Sequence, residues 1–252
     1  MLRIDDLDTP RNIKGSADSI LKTLDVFNLH WDDNVVYQSH HLDVYDEILN
    51  ELAKNNLIYP CTCSRKTLTG IYSGLCRNKN PPHNSPYSLR IKTDDRIISF
   101  QDELQGLIAH NLTGQHGDFI LKRKDHVIAY QFAVVVDDYL QQINHVVRGF
   151  DLLDSTPRQI YLQQTLGFAT PGYMHVPVII DEQGYKLSKQ TRATAVDIKT
   201  PHQVIFGLLE LLQQNPPREL QNAPSTELLN WAIDHWNPTL LQDSRAVSPE
   251  FK

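Results

Sequence analysis

The stretch Ala129-Tyr130-Gln131-Phe132-Ala133-Val134-Val135-Val136 is apolar almost throughout and is closed by Asp137-Asp138. A continuous apolar run bounded by charge predicts a strand buried on both faces, as in a parallel sheet covered by helices. On either side of it the periodicity is helical. Leu42, Tyr45, Ile48, Leu49 and Leu52 share one face of a predicted helix ending near Asn55-Asn56, and another is predicted over Arg158 to Leu166. Ile20, Leu21, Leu24 and Phe27 mark an earlier helix with Ser16 as its N-cap. Thr200-Pro201 supplies a cap and a first helical residue for the segment carrying Val204, Ile205, Leu208, Leu209 and Leu212. A last helix is predicted from Thr226 to Trp236. Short strands are predicted at Leu2-Arg3-Ile4, at Ser88 to Lys92 and Arg96 to Phe100 as a mutual pair, and at Val176 to Ile180 before a tight turn, Asp181-Glu182-Gln183-Gly184. Strands alternating with helices predict an α/β fold with a parallel sheet.

The chain of 252 residues is 40% hydrophobic and 21% charged, the balance of an ordinary soluble globular protein. Its net charge of −6 excludes indiscriminate nucleic-acid binding through bulk charge. Local basic clusters, Arg65, Lys66, Arg77 and Lys79 and then Lys122-Arg123-Lys124, still leave room for an RNA partner. No run of about 18 apolar residues is present to cross a membrane, and the charged N-terminus has no apolar signal core. A cytoplasmic monomer is expected.

Two constellations carry chemistry. Cys61, Cys63 and Cys76 cluster in a segment rich in Gly, Pro and Asn, a composition poor in regular elements. Thiolates so spaced predict structural zinc, Zn2+, in a small module inserted between core strands. Tetrahedral closure needs a fourth ligand, and by spacing His83 is a candidate, imidazole being a common zinc donor. The second constellation is Lys186-Leu187-Ser188-Lys189-Gln190, which follows the tight turn. Two ammonium groups flanking a hydroxyl suit a polyphosphate whose charge moves during reaction.

The lysine segment resembles the second signature loop of class I aminoacyl-tRNA synthetases. Upstream, Tyr130 to Asp138, His145 to Leu153, Arg158 to Leu162, Leu166-Gly167 and His175-Val176-Pro177 are similar, in order, to blocks of the glutamyl-tRNA synthetase core. Leu2-Arg3-Ile4-Asp5-Asp6-Leu7-Asp8-Thr9-Pro10-Arg11 resembles that family's Arg-Ile-Glu-Asp segment. The stretch after Gln190 is too short for the family's large anticodon-binding region. This, with the cysteine module, resembles the short group of glutamyl-Q tRNA(Asp) synthetases.

The resemblance implies a Rossmann-like parallel sheet with a zinc-containing insertion. It implies ATP-dependent activation of glutamate, with Mg2+, and transfer to queuosine in the anticodon of tRNA(Asp). It assigns glutamate binding to Asp5, Tyr130 and Arg148, the Arg fork meeting the side-chain carboxylate. ATP binding falls to Lys186, Leu187, Ser188, Lys189 and Gln190 with His175, and catalysis to Lys189. Asp5 is one methylene shorter than the family's usual Glu. The resemblance points to Tyr72 as fourth zinc ligand beside Cys61, Cys63 and Cys76, with His83 the rival. The family's opening strand, glycine turn and His-x-Gly-His type helix start, about 30 to 40 residues by the size of such units, has no counterpart before Arg3. An intact protein of this kind is expected to be an enzyme, and weak or no activation is expected of this chain itself. The expected division is 1–57 for the first part of the catalytic core, 58–86 for the zinc module, 87–200 for the rest of the core and 201–252 for a short helical end. A tRNA-binding protein without catalysis and a discriminating glutamyl-tRNA synthetase are the alternatives.

Overall fold

The computed structural model describes residues 1–64, 70–187 and 196–248. The chain opens with strand β1, Leu2–Ile4, then helix α1, Ser16–Val26, and strand β2, Val35–Tyr37, which pairs parallel with β1. Helix α2, Leu42–Lys54, leads into β3, Ile58–Cys61, which is antiparallel to β4, Ser88–Ile91. A hairpin follows, β5 (Ile97–Asp102) and β6 (Gly106–Asn111), then the short α3, Leu112–Gln115, and β7, Ile120–Lys122, paired with β4. Helix α4, Tyr130–Leu140, precedes β8, His145–Gly149, and helix α5, Thr156–Leu166, precedes β9, Gly172–Val176. The end of the chain carries β10 (Val178–Ile179), α6 (Pro201–Leu211), α7 (Ser225–His235) and β11 (Ala246–Val247). Among the described residues the largest sheet runs β6-β5-β9-β8, with β5, β9 and β8 parallel. This is the mixed α/β architecture expected, with parallel strands at its centre.

The central correction concerns the opening stretch. Ala129 to Val136 is not a strand; from Tyr130 onward it is the helix α4. Phe132 to Asp137 are all buried, so this helix is apolar on every side and its sequence loses the amphipathic stripe. A short apolar run rich in valine cannot be told from a buried strand by periodicity, and here packing overrides β propensity. Phe132 meets Tyr45 of α2 edge to face, and Val135, Val136, Ile160 and Leu162 complete the same core. The second correction is in pairing. Ser88 to Lys92 and Arg96 to Phe100 do not pair with each other; β4 lies between β3 and β7, and β5 pairs with β6 and β9. Ser16 is the first helical residue, Gly15 standing at the N-cap in a left-handed conformation. The predicted strand from Val176 to Ile180 is divided between β9 and β10.

Candidate functional site

Three neighbouring parallel strands build the site. The register of β8 on β9 sets Arg148 opposite His175, and Asp102 closes β5 opposite Tyr173. Arg148 donates from Nε to His175 Nε2 at 3.0 Å, from Nη2 to Thr156 Oγ1 at 2.7 Å, and from Nη1 to the Tyr130 hydroxyl at 3.4 Å. His175 and Asp102 are fully buried, with His175 Nδ1 at 2.6 Å from Asp102 Oδ2. Burial lowers the imidazole pKa, and the Arg148 charge adds to this against the opposing pull of Asp102. Tyr130 begins α4 and is 41% exposed, so the open side of the site lies at Tyr130 and Arg148 Nη1. The structure therefore brings Tyr130, Arg148 and His175 together. It places His175 behind Arg148, where a fully buried ring supports the guanidinium and does not face solvent.

Asp5 follows β1 and is held by Arg3, whose Nε donates to it at 2.8 Å. Arg3 Nη1 reaches Asp138 Oδ1 and Gln141 Oε1 on α4, each at 2.8 Å. Among the described residues the ion pair of Asp5 is thus with Arg3, not with Arg148. Beneath it the buried Asp137 accepts from Gln38 Nε2 at 2.7 Å and from the Tyr45 hydroxyl at 2.8 Å. Lys186 lies in a bridge with Ile180, and its Nζ is 2.5 Å from Asp151 Oδ2, just after β8. Leu187 is described and exposed; Ser188, Lys189 and Gln190 lie outside the described residues.

The cysteine loop leaves at the end of β3 and returns at β4, where Cys61 pairs with Ser88. The Sγ atoms of Cys61, Cys63 and Cys76 all lie within 4.8 Å of one another. The Tyr72 oxygen is 3.3 Å from Cys61 Sγ and 3.9 Å from Cys63 Sγ. His83 is exposed and does not belong to this cluster. Burial alone would raise the Cys61 pKa; the Tyr72 hydroxyl, the Cys63 backbone and Arg90 outweigh it and bring the thiol down to about 7. Three sulfurs and one phenol oxygen converging on one point fit a four-coordinate cation with thiolate preference.

The module is seated by residues that spacing does not reveal. Buried Asp118 accepts from the Tyr59 hydroxyl at 2.5 Å, from Arg77 Nε at 2.7 Å and from Thr93 N at 2.8 Å. Gly117, with φ +64°, lies so close that an added Cβ would meet the Tyr72 carbonyl oxygen at 2.3 Å. Asp102 and Asp118 escape sequence reasoning because their side-chain partners lie 73 and 41 residues along the chain.

Residues 1–204 match the catalytic domain of tRNA synthetases class I (E and Q). The chain is 43% identical over 251 residues to the glutamyl-Q tRNA(Asp) synthetase of Methylococcus capsulatus, covering 98% of this chain and 83% of the relative. Identity to the protein of the same name from Neisseria meningitidis serogroup A is 44% over 249 residues, covering 94% and 84%. The fold is similar to a glutamate tRNA ligase from Elizabethkingia meningosepticum solved in complex with its amino acid. The TM-score is 0.78 at 22% identity, over 99% of this chain and 60% of that one. No helix among the described residues is long and apolar enough to cross a membrane. On the matched length and the shared identity, the chain belongs to the class I tRNA synthetases (E and Q), alongside the glutamyl-Q tRNA(Asp) synthetases.

Proposed function

We propose that this protein is a ligase that activates glutamate with ATP and transfers it to queuosine in the anticodon of tRNA(Asp). The observation that carries the reading is the Arg148 guanidinium, unpaired with any carboxylate among the described residues and open beside the Tyr130 hydroxyl. An arginine so placed receives a carboxylate through charge-assisted hydrogen bonds. Asp5 supplies negative charge for the substrate ammonium, oriented by Arg3. Lys186, Leu187, Ser188, Lys189 and Gln190 bind ATP, with Mg2+ as counter-ion. Lys189 stabilises the charge that develops on pyrophosphate. His175 acts on the site through Arg148, in place of the direct ATP contact expected from sequence.

Cys61, Cys63, Tyr72 and Cys76 hold Zn2+ in a structural role. Among the described residues the cluster offers four protein donors, the closed set of a structural site, whereas a catalytic zinc keeps one position open. The units 1–57, 58–86, 87–200 and 201–252 remain the proposed division, the protein acting as a cytoplasmic monomer. The test is glutamate-dependent ATP–pyrophosphate exchange, followed by transfer of labelled glutamate to queuosine-bearing tRNA(Asp) whose terminal ribose has been oxidised by periodate. Transfer that survives the oxidation is expected. Transfer abolished by it would instead mean esterification at the terminal ribose, and tRNA binding without exchange would mean a non-catalytic binder.

A further inference from the structure

The carboxylate of Asp102 accepts from three backbone amides: Leu104 N at 3.1 Å, Gln105 N at 3.0 Å and His175 N at 3.2 Å. Its Oδ2 then faces His175 Nδ1 at 2.6 Å with both side chains wholly buried. With the donor-only Arg148 Nε–H at Nε2 and a carboxylate oxygen at Nδ1, the pairing is satisfied by an imidazole whose proton sits on Nδ1. The other nitrogen, Nε2, must then offer a lone pair. It meets Arg148 Nε–H, a group that can only donate, at 3.0 Å. Polarity is consistent along the whole line, from guanidinium through neutral ring to carboxylate.

Two consequences follow for Arg148. Nε and Nη2 share one edge of the guanidinium, and both are committed to protein acceptors, His175 and Thr156. The edge left for a ligand is the one carrying Nη1, beside Tyr130. In addition, the nearest buried negative charge is held one imidazole ring away. A carboxylate in direct contact would neutralise the arginine; a neutral ring fixes its plane and leaves its charge for an incoming anion.

We propose that Asp102 and His175 are positioning residues that lock the Arg148 guanidinium in one orientation with its charge uncompensated, and so make the site select a side-chain carboxylate over a carboxamide. This rests on Arg148 being the receiver of the glutamate side chain. The selectivity is written into sheet register, since Asp102, His175 and Arg148 come from β5, β9 and β8, adjacent strands of one sheet.

The test uses the whole chain labelled with 15N-histidine and two sulfamoyl-adenosine mimics, glutamyl and glutaminyl. In the unaltered protein, long-range 1H–15N spectra should show His175 protonated at Nδ1, and calorimetry should show preference for the glutamyl mimic. Asp102→Asn presents an amide donor to Nδ1 and should move the proton to Nε2, turning a donor toward Arg148. The glutamyl preference should then fall about ten- to a hundredfold, the range for a lost charge-assisted contact. His175→Gln, which keeps an acceptor, should retain more preference than His175→Leu, which keeps none. An Nε2-protonated ring in the unaltered protein overturns the inference. So does a shifted proton in Asp102→Asn with preference intact, or, should that variant not fold, equal and full preference in His175→Gln and His175→Leu. Absence of any preference in the unaltered protein, with the ring protonated at Nδ1, would overturn it through the function reading itself, a result distinct from the others.

Discussion

At Arg148 the donors and acceptors form one polarised line across three strands; at the cysteine cluster three sulfurs and a phenol oxygen gather on a single loop. The guanidinium, the His175 ring and the Asp102 carboxylate form a line in which each donor meets an acceptor. Around Tyr72 the contacts are longer and sulfur-based: the Cys76 amide donates to the phenol oxygen at 3.1 Å, Cys61 Sγ lies 3.3 Å from that oxygen, and the Cys63 and Cys76 Sγ atoms are 3.5 Å apart. That distance is far beyond a disulfide bond. The first region is held by the fold in the orientation proposed to receive substrate. The second gathers the donor set proposed to receive a cation. Hydrogen-bond polarity across strands thus underlies the proposed receiver, and gathered thiols on one loop underlie the proposed metal clip.

The sharpest way to break this contrast is to remove the metal. Purified protein should carry one equivalent of zinc, and chelation or Cys61→Ala should lower the melting temperature more than Asp118→Ala, Arg148→Lys or Asp151→Asn does. Structural zinc in small peptides is worth about 10 to 16 kcal/mol in apparent terms; an insertion supported by a core should lose a fraction of that. Burial holds the Cys63 thiol and the Tyr72 phenol protonated above their usual pKa ranges. Zinc uptake should therefore release protons and strengthen as pH rises, measured as heats that differ between buffers of different ionisation enthalpy. A metal-free protein with unchanged melting temperature would dissolve the contrast.

Next in size is the buried carboxylate that seats the module. Asp118→Ala leaves Arg77 and the Tyr59 hydroxyl without their shared acceptor. Leaving a buried donor such as the Tyr59 hydroxyl or the Thr93 amide unpaired costs about 1 to 3 kcal/mol, which denaturant unfolding would register. Burial pushes the Asp118 pKa up, but hydrogen bonds from Arg77, Thr93 and Tyr59 outweigh it and hold the group below its ordinary 3.8. A depressed folded-state value means stability that is fully present above pH 3.8 and lost as pH falls through the lower value. The gap between native protein and Asp118→Ala should thus be constant near neutrality and shrink only under strongly acid conditions.

These two regions also differ in how legible they are. The cysteines lie on one loop, so their spacing announces a ligand set before any fold is known. Arg148 and His175 are 27 residues apart and Asp102 is 73 from His175, so their contact exists only once β5, β9 and β8 pair. The sequence marks Arg148 and Tyr130 as binding residues through family resemblance, yet it cannot say that His175 supports the arginine from behind. The helices over Leu42 to Leu52 and after Thr200-Pro201 are legible because one face is polar. Helix α4 is not, because Phe132 to Asp137 are buried on all sides and leave no periodicity to read. Pairing partners such as β5 with β9 are equally silent, since register depends on the finished core.

A smaller effect, confined to binding, is expected of Arg148→Lys. Lysine keeps the charge but has no planar fork with which to engage His175 and Thr156 together. Affinity for a glutamyl-adenylate mimic should fall about ten- to a hundredfold, with zinc content and melting temperature unaltered. If both fell, the receiver would be a structural brace and its separation from the metal clip would fail.

The smallest effect is expected at the pair Lys186–Asp151, which joins the lysine segment to the turn after β8. The two side chains are 50% and 39% exposed. Water screens such a pair, and holding a long lysine in one rotamer offsets most of the attraction. Asp151→Asn should therefore shift unfolding stability by less than about 1 kcal/mol, a difference that added salt erases. The same variant removes a competing carboxylate from Lys186, so ATP should bind slightly tighter at low ionic strength and equally at high. A loss of stability as large as that of Asp118→Ala would mean that this surface contact is part of the fixed interior network. In that event the fold would hold its lysine segment as rigidly as its arginine, and phosphate charge would have to be followed by some other group.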